Sequence, residues 1–275
     1  MMDYKYKIFS PGGNDTALVF GIEMDIEKRR AIQDDIIAKH SNVEQVGFIS
    51  EEVTKPQLMM TGGEFCGNAA RTAAWHYLQG QAGEIDIQVS GVDRLLRAGI
   101  TDTLQTWTEM PVASRPNRIK NIGDGLYWVQ LDGISHLVVS QRRSDEIFRT
   151  LPTMDADTLK KAASDLIDKY ELGYPDAYGV MFTETVLNMV KIHPCVFIKT
   201  AGTSYYETAC GSGSVAVGLV ASVLLGKGTE LALLQPSDKV ITSLVEYSGG
   251  IINGAKISGV VEPISNILSG GYKID

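Results

Sequence analysis

The sequence predicts an α+β protein made of two similar halves. Three observations carry this expectation. Short apolar runs bounded by Gly, Pro and Asn recur along the chain, as strands do. Two apolar helical segments each open on a Gly-rich turn that contains a cysteine, TGGEFCGN (61–68) and ETACGSGS (207–214). One such turn falls in each half of the 275 residues, a period of about half the chain rather than that of a solenoid.

Residues 4–10 alternate like a strand, PGGN (11–14) is a turn, and 16–22 is a second strand. Residues 26–40 carry helical periodicity with charges on the outer face. Short strands follow at 46–50 and 57–60, then the first cysteine turn and the helix AARTAAWHYLQG, closed by Gly80. Residues 85–90, 95–100 and 104–110 read as strands. The stretch 111–125, PVASRPNRIKNIGDG, is polar and turn-rich, and the domain boundary is expected there. A second round has strands at 126–131 and 136–140, a helix at 154–169, and strands at 179–183 and 189–199. The second cysteine turn then opens the helix VAVGLVASVLLGKG, and strands at 231–234, 239–245, 251–258 and 259–261 complete the sheet. The expected domains are 1–118 and 119–262, with the tail 263–275 returning to the first. Two such domains would face each other with the cysteine turns across a cleft.

Composition narrows the function classes. The chain is 44% hydrophobic and 21% charged, ordinary for a soluble globular protein. A net charge of −8, without a basic patch, argues against nucleic acid or an anionic membrane as partner. The N-terminal stretch MMDYKYKIFSPGG has no apolar core of signal-peptide length and no apolar run approaches membrane-spanning length, so the cytoplasm is the expected compartment. The three cysteines Cys66, Cys195 and Cys210 form no CxxC pair, and the four histidines are scattered. Neither a disulfide scaffold nor a metal site is expected.

Cys66-Gly67-Asn68 and Cys210-Gly211-Ser212-Gly213 each stand where a helix begins. Unpaired N–H groups and the helix dipole favour negative charge there, which predicts a depressed thiol pKa and a site for a carboxylate. This equipment suits 1,1-proton transfer. Removing the α-hydrogen of an amino acid moves charge onto its carboxylate, where convergent N–H donors stabilise it. Inversion needs a base on one face and an acid on the other, and a thiolate and a thiol can exchange those roles. The plain alternative is two buried small hydrophobes, weakened by the occurrence of the same turn in both halves. Cys195, in KIHPCVFIK, has no Gly-rich turn and reads as structural.

The chain resembles the diaminopimelate epimerase family, cofactor-independent two-cysteine isomerases, through GGEFCGNAAR (62–71), ETACGSG (207–213) and an N-terminal GGND (12–15). The resemblance implies two pseudo-symmetric domains, each a sheet wrapped around a central helix, with the active site in the cleft between them. It also implies a homodimer with no metal or pyridoxal cofactor. By position, Cys66 and Cys210 match the base and acid pair, and Gly67, Asn68, Gly211 and Ser212 match the donors to the α-carboxylate. Asn14 and Gln45 match substrate-contacting positions, with a turn Asn and a surface strand Gln as the alternatives.

The departures bear on the substrate. The family's Glu-Arg pair, which recognises the distal head of diaminopimelate, has no Arg in KTAGTSYYETACGSG. Ile134 and Gly179 stand where family Asn residues are expected, and Gln57 replaces a third. A site stripped of these groups binds a second zwitterionic head poorly. What remains is similar to the histidine racemase branch: EFCGN, EQVGFI, CGSG, a later Gln235-Pro236, and Glu207 three residues before the second cysteine. Glu207 is the candidate partner for the substrate amine or imidazole, against the alternative of an ordinary acid near a helix start. His136 reads as a strand histidine with a structural hydrogen bond. The expected function is cofactor-independent histidine racemisation. The rivals are diaminopimelate epimerisation with the same chemistry, and an amino-acid binding or thiol redox protein using the cysteine pair.

Overall fold

The computed structural model describes residues 2–21, 25–112, 118–172, 176–199 and 202–272. The end of the expected strand at residue 22, the middle of the expected boundary at 113–117 and the last three residues of the tail lie outside the described residues. The chain divides into two compact units, Met1–Met110 with Ile257–Asp275, and Pro111–Lys256.

The first unit opens with β1 (Met2–Ser10), β2 (Asp15–Phe20), α1 (Ile26–Lys39), β3 (Val43–Ile49), β4 (Gln57–Met60), α2 (Gly67–Tyr77), β5 (Gly83–Val89), β6 (Leu96–Ile100) and β7 (Thr106–Glu109). Strand β1 pairs antiparallel with β2, β2 parallel with β3, β3 antiparallel with β4, β4 parallel with β5, and β5 antiparallel with β6. Helix α1 starts at Asp25, whose carboxylate accepts the Lys28 N–H at 2.8 Å, and it buries Ile32 and Ile36 against the sheet. Helix α2 differs in kind: every residue from Gly67 to Ala74 is buried. Its alanines let Phe9, Leu18, Ile49, Leu58, Ile87 and Leu96 close on it from several strands.

The second unit contains β8 (Ile119–Gly123), β9 (Leu126–Gln130), β10 (Ser135–Val139), α3 (Gln141–Phe148), α4 (Ala156–Lys169), β11 (Ala177–Val186), β12 (Met189–Ile198), β13 (Thr203–Tyr206), α5 (Gly211–Leu225), β14 (Thr229–Leu234), β15 (Val240–Ser248) and most of β16 (Ile251–Gly259). The pairing sense repeats that of the first unit. It runs β9–β10 antiparallel, β10–β11 parallel, β11–β12 antiparallel, β12–β14 parallel and β14–β15 antiparallel. Helix α5 takes the place of α2 in that order, with Val215, Ala216, Leu219 and Val220 all buried. Helix α4 covers the opposite side of the core through Leu159, Ala163 and Ile167.

The chain then returns. Strands β17 (Glu262–Pro263) and β18 (Leu268–Tyr272) both pair antiparallel with β1. The first crossing between units lies after Met110, ahead of the 118/119 boundary expected from composition. Met110 is buried beside Gly67 of α2, and β8 pairs with β9, so the polar stretch belongs with the second unit. The second crossing precedes Ile257, which also packs beside Gly67, rather than residue 263. Among the described residues no helix is long and apolar enough to cross a membrane.

Candidate active site

In the first unit Cys66 is the N-cap of α2, with extended backbone (φ −134°, ψ 116°), and its Sγ accepts the Ala69 N–H at 3.4 Å. The first intrahelical bond runs from the Ala70 N–H to the Cys66 carbonyl, so the N–H groups of Gly67 and Asn68 lie ahead of the helix's own acceptors. Gln45, on β3, places its side-chain Oε1 2.7 Å from Sγ. Asn14 is buried, in the left-handed conformation (φ 56°) that closes the PGGN turn. The structure thus gathers Gln45, Cys66, Gly67 and Asn68 at the start of α2. Below them lies Arg71, fully buried. Its Nη2 donates to the Asn68 Oδ1 at 2.9 Å and to the Pro11 carbonyl at 2.7 Å, tying the helix start to the turn that carries Asn14. Burial pushes the Arg71 guanidinium down to about 10, and negative charge on Cys66 opposes that shift.

In the second unit Cys210 is the N-cap of α5 (φ −128°, ψ 106°), and its Sγ accepts the Gly213 N–H at 3.3 Å. A Cβ on Gly213 would stand 2.2 Å from the Met181 sulfur and 3.1 Å from Sγ, so only glycine lets this turn close on the core. The Cys210 N–H donates to the Gln235 side chain at 3.0 Å. The Gln235 amide nitrogen in turn donates to Ser214 Oγ (3.2 Å) and the Leu233 carbonyl (3.1 Å). Ser212 Oγ lies 3.6 Å from Cys210 Sγ and 3.0 Å from His136 Nε2. Burial drives the His136 imidazole down to about 3, so it is neutral near pH 7. A neutral ring protonated on Nε2 donates to Ser212 and leaves the Ser212 hydroxyl proton for the sulfur. A Cβ on Gly179 would meet His136 Nδ1 at 2.5 Å, so the larger Asn of the resembled family has no room there.

One expectation is reversed. The helix N-terminus was expected to depress both thiols, yet Cys210 is held well above the usual thiol range. Burial is the main cause. The Glu207 carboxylate adds to it by repelling the thiolate and hydrogen-bonding the thiol, and the Gly213 N–H and Ser212 oppose it too weakly. Glu207 therefore acts on Cys210. Cys195 lies on β12 and is pushed up to about 12 by burial, an inert core thiol.

Two further residues stand in quoted motifs, Arg71 at the end of GGEFCGNAAR and Gln235 in Gln235-Pro236, but received no role from the sequence. Arg71 is the one charge in a run of small residues on a buried helix, and that oddity marks it. Gln235, the residue after β14, is fully buried and braces the Cys210 loop. Among the described residues no cluster of three or more His, Cys, Asp or Glu is arranged to hold a metal ion.

Comparison with known proteins finds one family model matching residues 3–266, described as the histidine racemase CntK N-terminal domain. A histidine racemase of Fusobacterium nucleatum is 27% identical over 235 residues, covering 79% of this chain and 82% of that one. A histidine racemase of Staphylococcus aureus is 25% identical over 227 residues, 78% of each. Among solved structures, a PhzF-family phenazine biosynthesis protein of Bacillus anthracis aligns with a TM-score of 0.68 at 14% identity, over 99% of this chain and 100% of that one. A hydroxyproline epimerase of Agrobacterium vitis, solved with trans-4-hydroxy-L-proline, aligns with a TM-score of 0.62 at 12% identity, over 97% and 92%. The fold is shared with these proteins.

Proposed function

The chain belongs to the histidine racemase CntK N-terminal domain family, an amino-acid racemase type of isomerase, and from that premise we propose that it interconverts L- and D-histidine without a cofactor. One observation carries the reading. Two units with the same order of strand pairings each place a cysteine at the N-cap of the corresponding helix, Cys66 on α2 and Cys210 on α5. Relatives at 25–28% identity are named histidine racemases.

In the proposed reaction one cysteine thiolate takes the α-proton as its S–H bond forms. The C–H electron pair moves into the carboxylate, giving an enediolate-like species. First-turn N–H groups of Gly67, Asn68, Gly211 and Ser212 are the donors proposed to stabilise that charge. The thiol of the other cysteine delivers its proton to the opposite face of the carbon. Protons balance: one is gained by the first sulfur, one lost by the second, and the pair ends with its roles exchanged. Asn14, Gln45 and Glu207 are the proposed contacts to the rest of the substrate.

The test is incubation with L-histidine in D₂O, following optical activity and α-deuteration together. Loss of optical activity with deuterium appearing at the α-carbon is expected. Absence of exchange with histidine and with every other proteinogenic amino acid would sink the reading, and faster exchange with another amino acid would reassign the substrate.

A further inference from the structure

We propose that Arg71 is a positioning residue that holds Cys66 as the thiolate of the resting pair, leaving Cys210 as the thiol. The inference deepens the racemase reading and takes its meaning from it, but it is tested on the cysteines themselves.

A buried cation without a counter-charge is costly, and such groups persist where an anion partners them or where a reaction uses them. Arg71 is wholly buried, and its Nε and Nη1 are buried without a hydrogen-bond partner. The elements packed against α2 carry Asp3, Lys5 and Lys7 (β1), Asp15 (β2), Glu44 (β3), Glu84 and Asp86 (β5), Arg97 (β6), Glu109 (β7) and Lys256 (β16). None pairs with Arg71: Glu84 meets Arg97, and Glu109 meets Arg94. The guanidinium is instead drawn back to the helix start by its bond to Asn68, two residues after Cys66. A thiolate at Cys66, two residues before the Asn68 that Arg71 holds, is the anion whose charge would offset its burial.

Gln45 fits this role. An amide turned end over end offers either its oxygen to a thiol or its NH₂ to a thiolate, so the 2.7 Å contact serves Cys66 in both states of the cycle. The second unit has no such cation. Val215, five residues after Cys210 as Arg71 is after Cys66, is apolar and buried, and the nearby charge is the Glu207 carboxylate. One half favours S⁻ and the other S–H, which is the complementary pair that proton transfer requires.

Thiolate ultraviolet absorbance tests this without substrate and without dependence on exposure. Subtracting the titration of Cys66→Ser from wild type gives the Cys66 midpoint, and subtracting Cys210→Ser gives that of Cys210. Cys66 is expected to titrate below the free-thiol value of about 8.5 and below Cys210. Arg71→Met should raise the Cys66 midpoint by a unit or more, roughly a tenfold loss of thiolate at pH 7, while Arg71→Lys restores most of it. An unchanged Cys66 midpoint in Arg71→Met, or a wild-type Cys210 that titrates below Cys66, overturns the proposal. Should Arg71→Met fail to fold, the wild-type order and the Arg71→Lys midpoint decide. A protein with these midpoints that exchanges no amino-acid α-proton leaves this inference standing and removes the racemase reading; the reverse pattern does the opposite.

Discussion

The two cysteine turns have nearly the same backbone and opposite surroundings. Cys66 and Cys210 differ by only a few degrees in φ and about ten in ψ, and each sulfur accepts the N–H three residues on, at 3.4 and 3.3 Å. Beside Cys66 lies a neutral amide, the buried guanidinium of Arg71 holds Asn68 two residues on, and the cysteine is half-buried. Around Cys210 lie a carboxylate, a hydroxyl and a neutral imidazole, and the sulfur is buried. Duplication of a fold therefore fixes where a nucleophile stands, while a few side chains set its charge. At Cys210 burial outweighs the helix N-terminus, because desolvation of a fully buried thiolate exceeds what one or two N–H donors return.

The sharpest way to break this comparison is to remove each sulfur in turn. Cys66→Ser and Cys210→Ser should each lower racemisation about 10³-fold, since a serine hydroxyl neither ionises near pH 7 nor matches a thiol as acid. Chiral chromatography of the product measures it, and a large loss from one variant alone would end the two-base account. Next in size is acid sensitivity of the second unit. His136 is neutral when folded, with its pKa carried down to about 3, so the unfolded chain binds a proton that the folded one refuses. Its contribution to stability is complete above about pH 6.5 and declines as pH falls towards 3, by about 2 kcal/mol at pH 5. His193 is lowered too, by burial, and adds in the same direction. Hydrogen exchange at pH 7 and pH 5 should show β10 and α5 losing protection ahead of α2. The smallest effect is expected from Glu207→Gln, which removes the like charge beside Cys210. Its midpoint should fall by about one unit, roughly tenfold in thiolate at fixed pH, narrowing the difference between the halves.

Much of this was legible in the chain. Both cysteine turns, both central helices and the half-chain repeat stand out because glycine runs and apolar periodicity are local signals. Helix α3 did not, since QRRSDEIF buries only Ser144 and shows no apolar stripe. Strand β13, TSYY, is short, and its alternation is masked by two adjacent tyrosines. At the site, GGEFCGNAAR displayed Cys66, but the depth of Arg71 depends on how far the strands close over α2. The reversal at Cys210 comes from the depth of its burial, which spacing does not reveal, and from Glu207, whose place three residues before the cysteine is legible but whose effect on the thiol is not.

The strand that opens the chain is completed by the strand that ends it: β1 pairs with β17 and β18, and Ile257 packs beside Gly67. The second unit is thus an insertion within the first. During synthesis, when domains generally fold as they emerge, residues 111–256 form a contiguous block that closes first. The half that carries Cys66 is made in two pieces, one before and one after that block. Its sheet is complete only once residues 257–272 have been made, so a chain stopped at residue 256 should retain a folded Cys210 half beside an open Cys66 half.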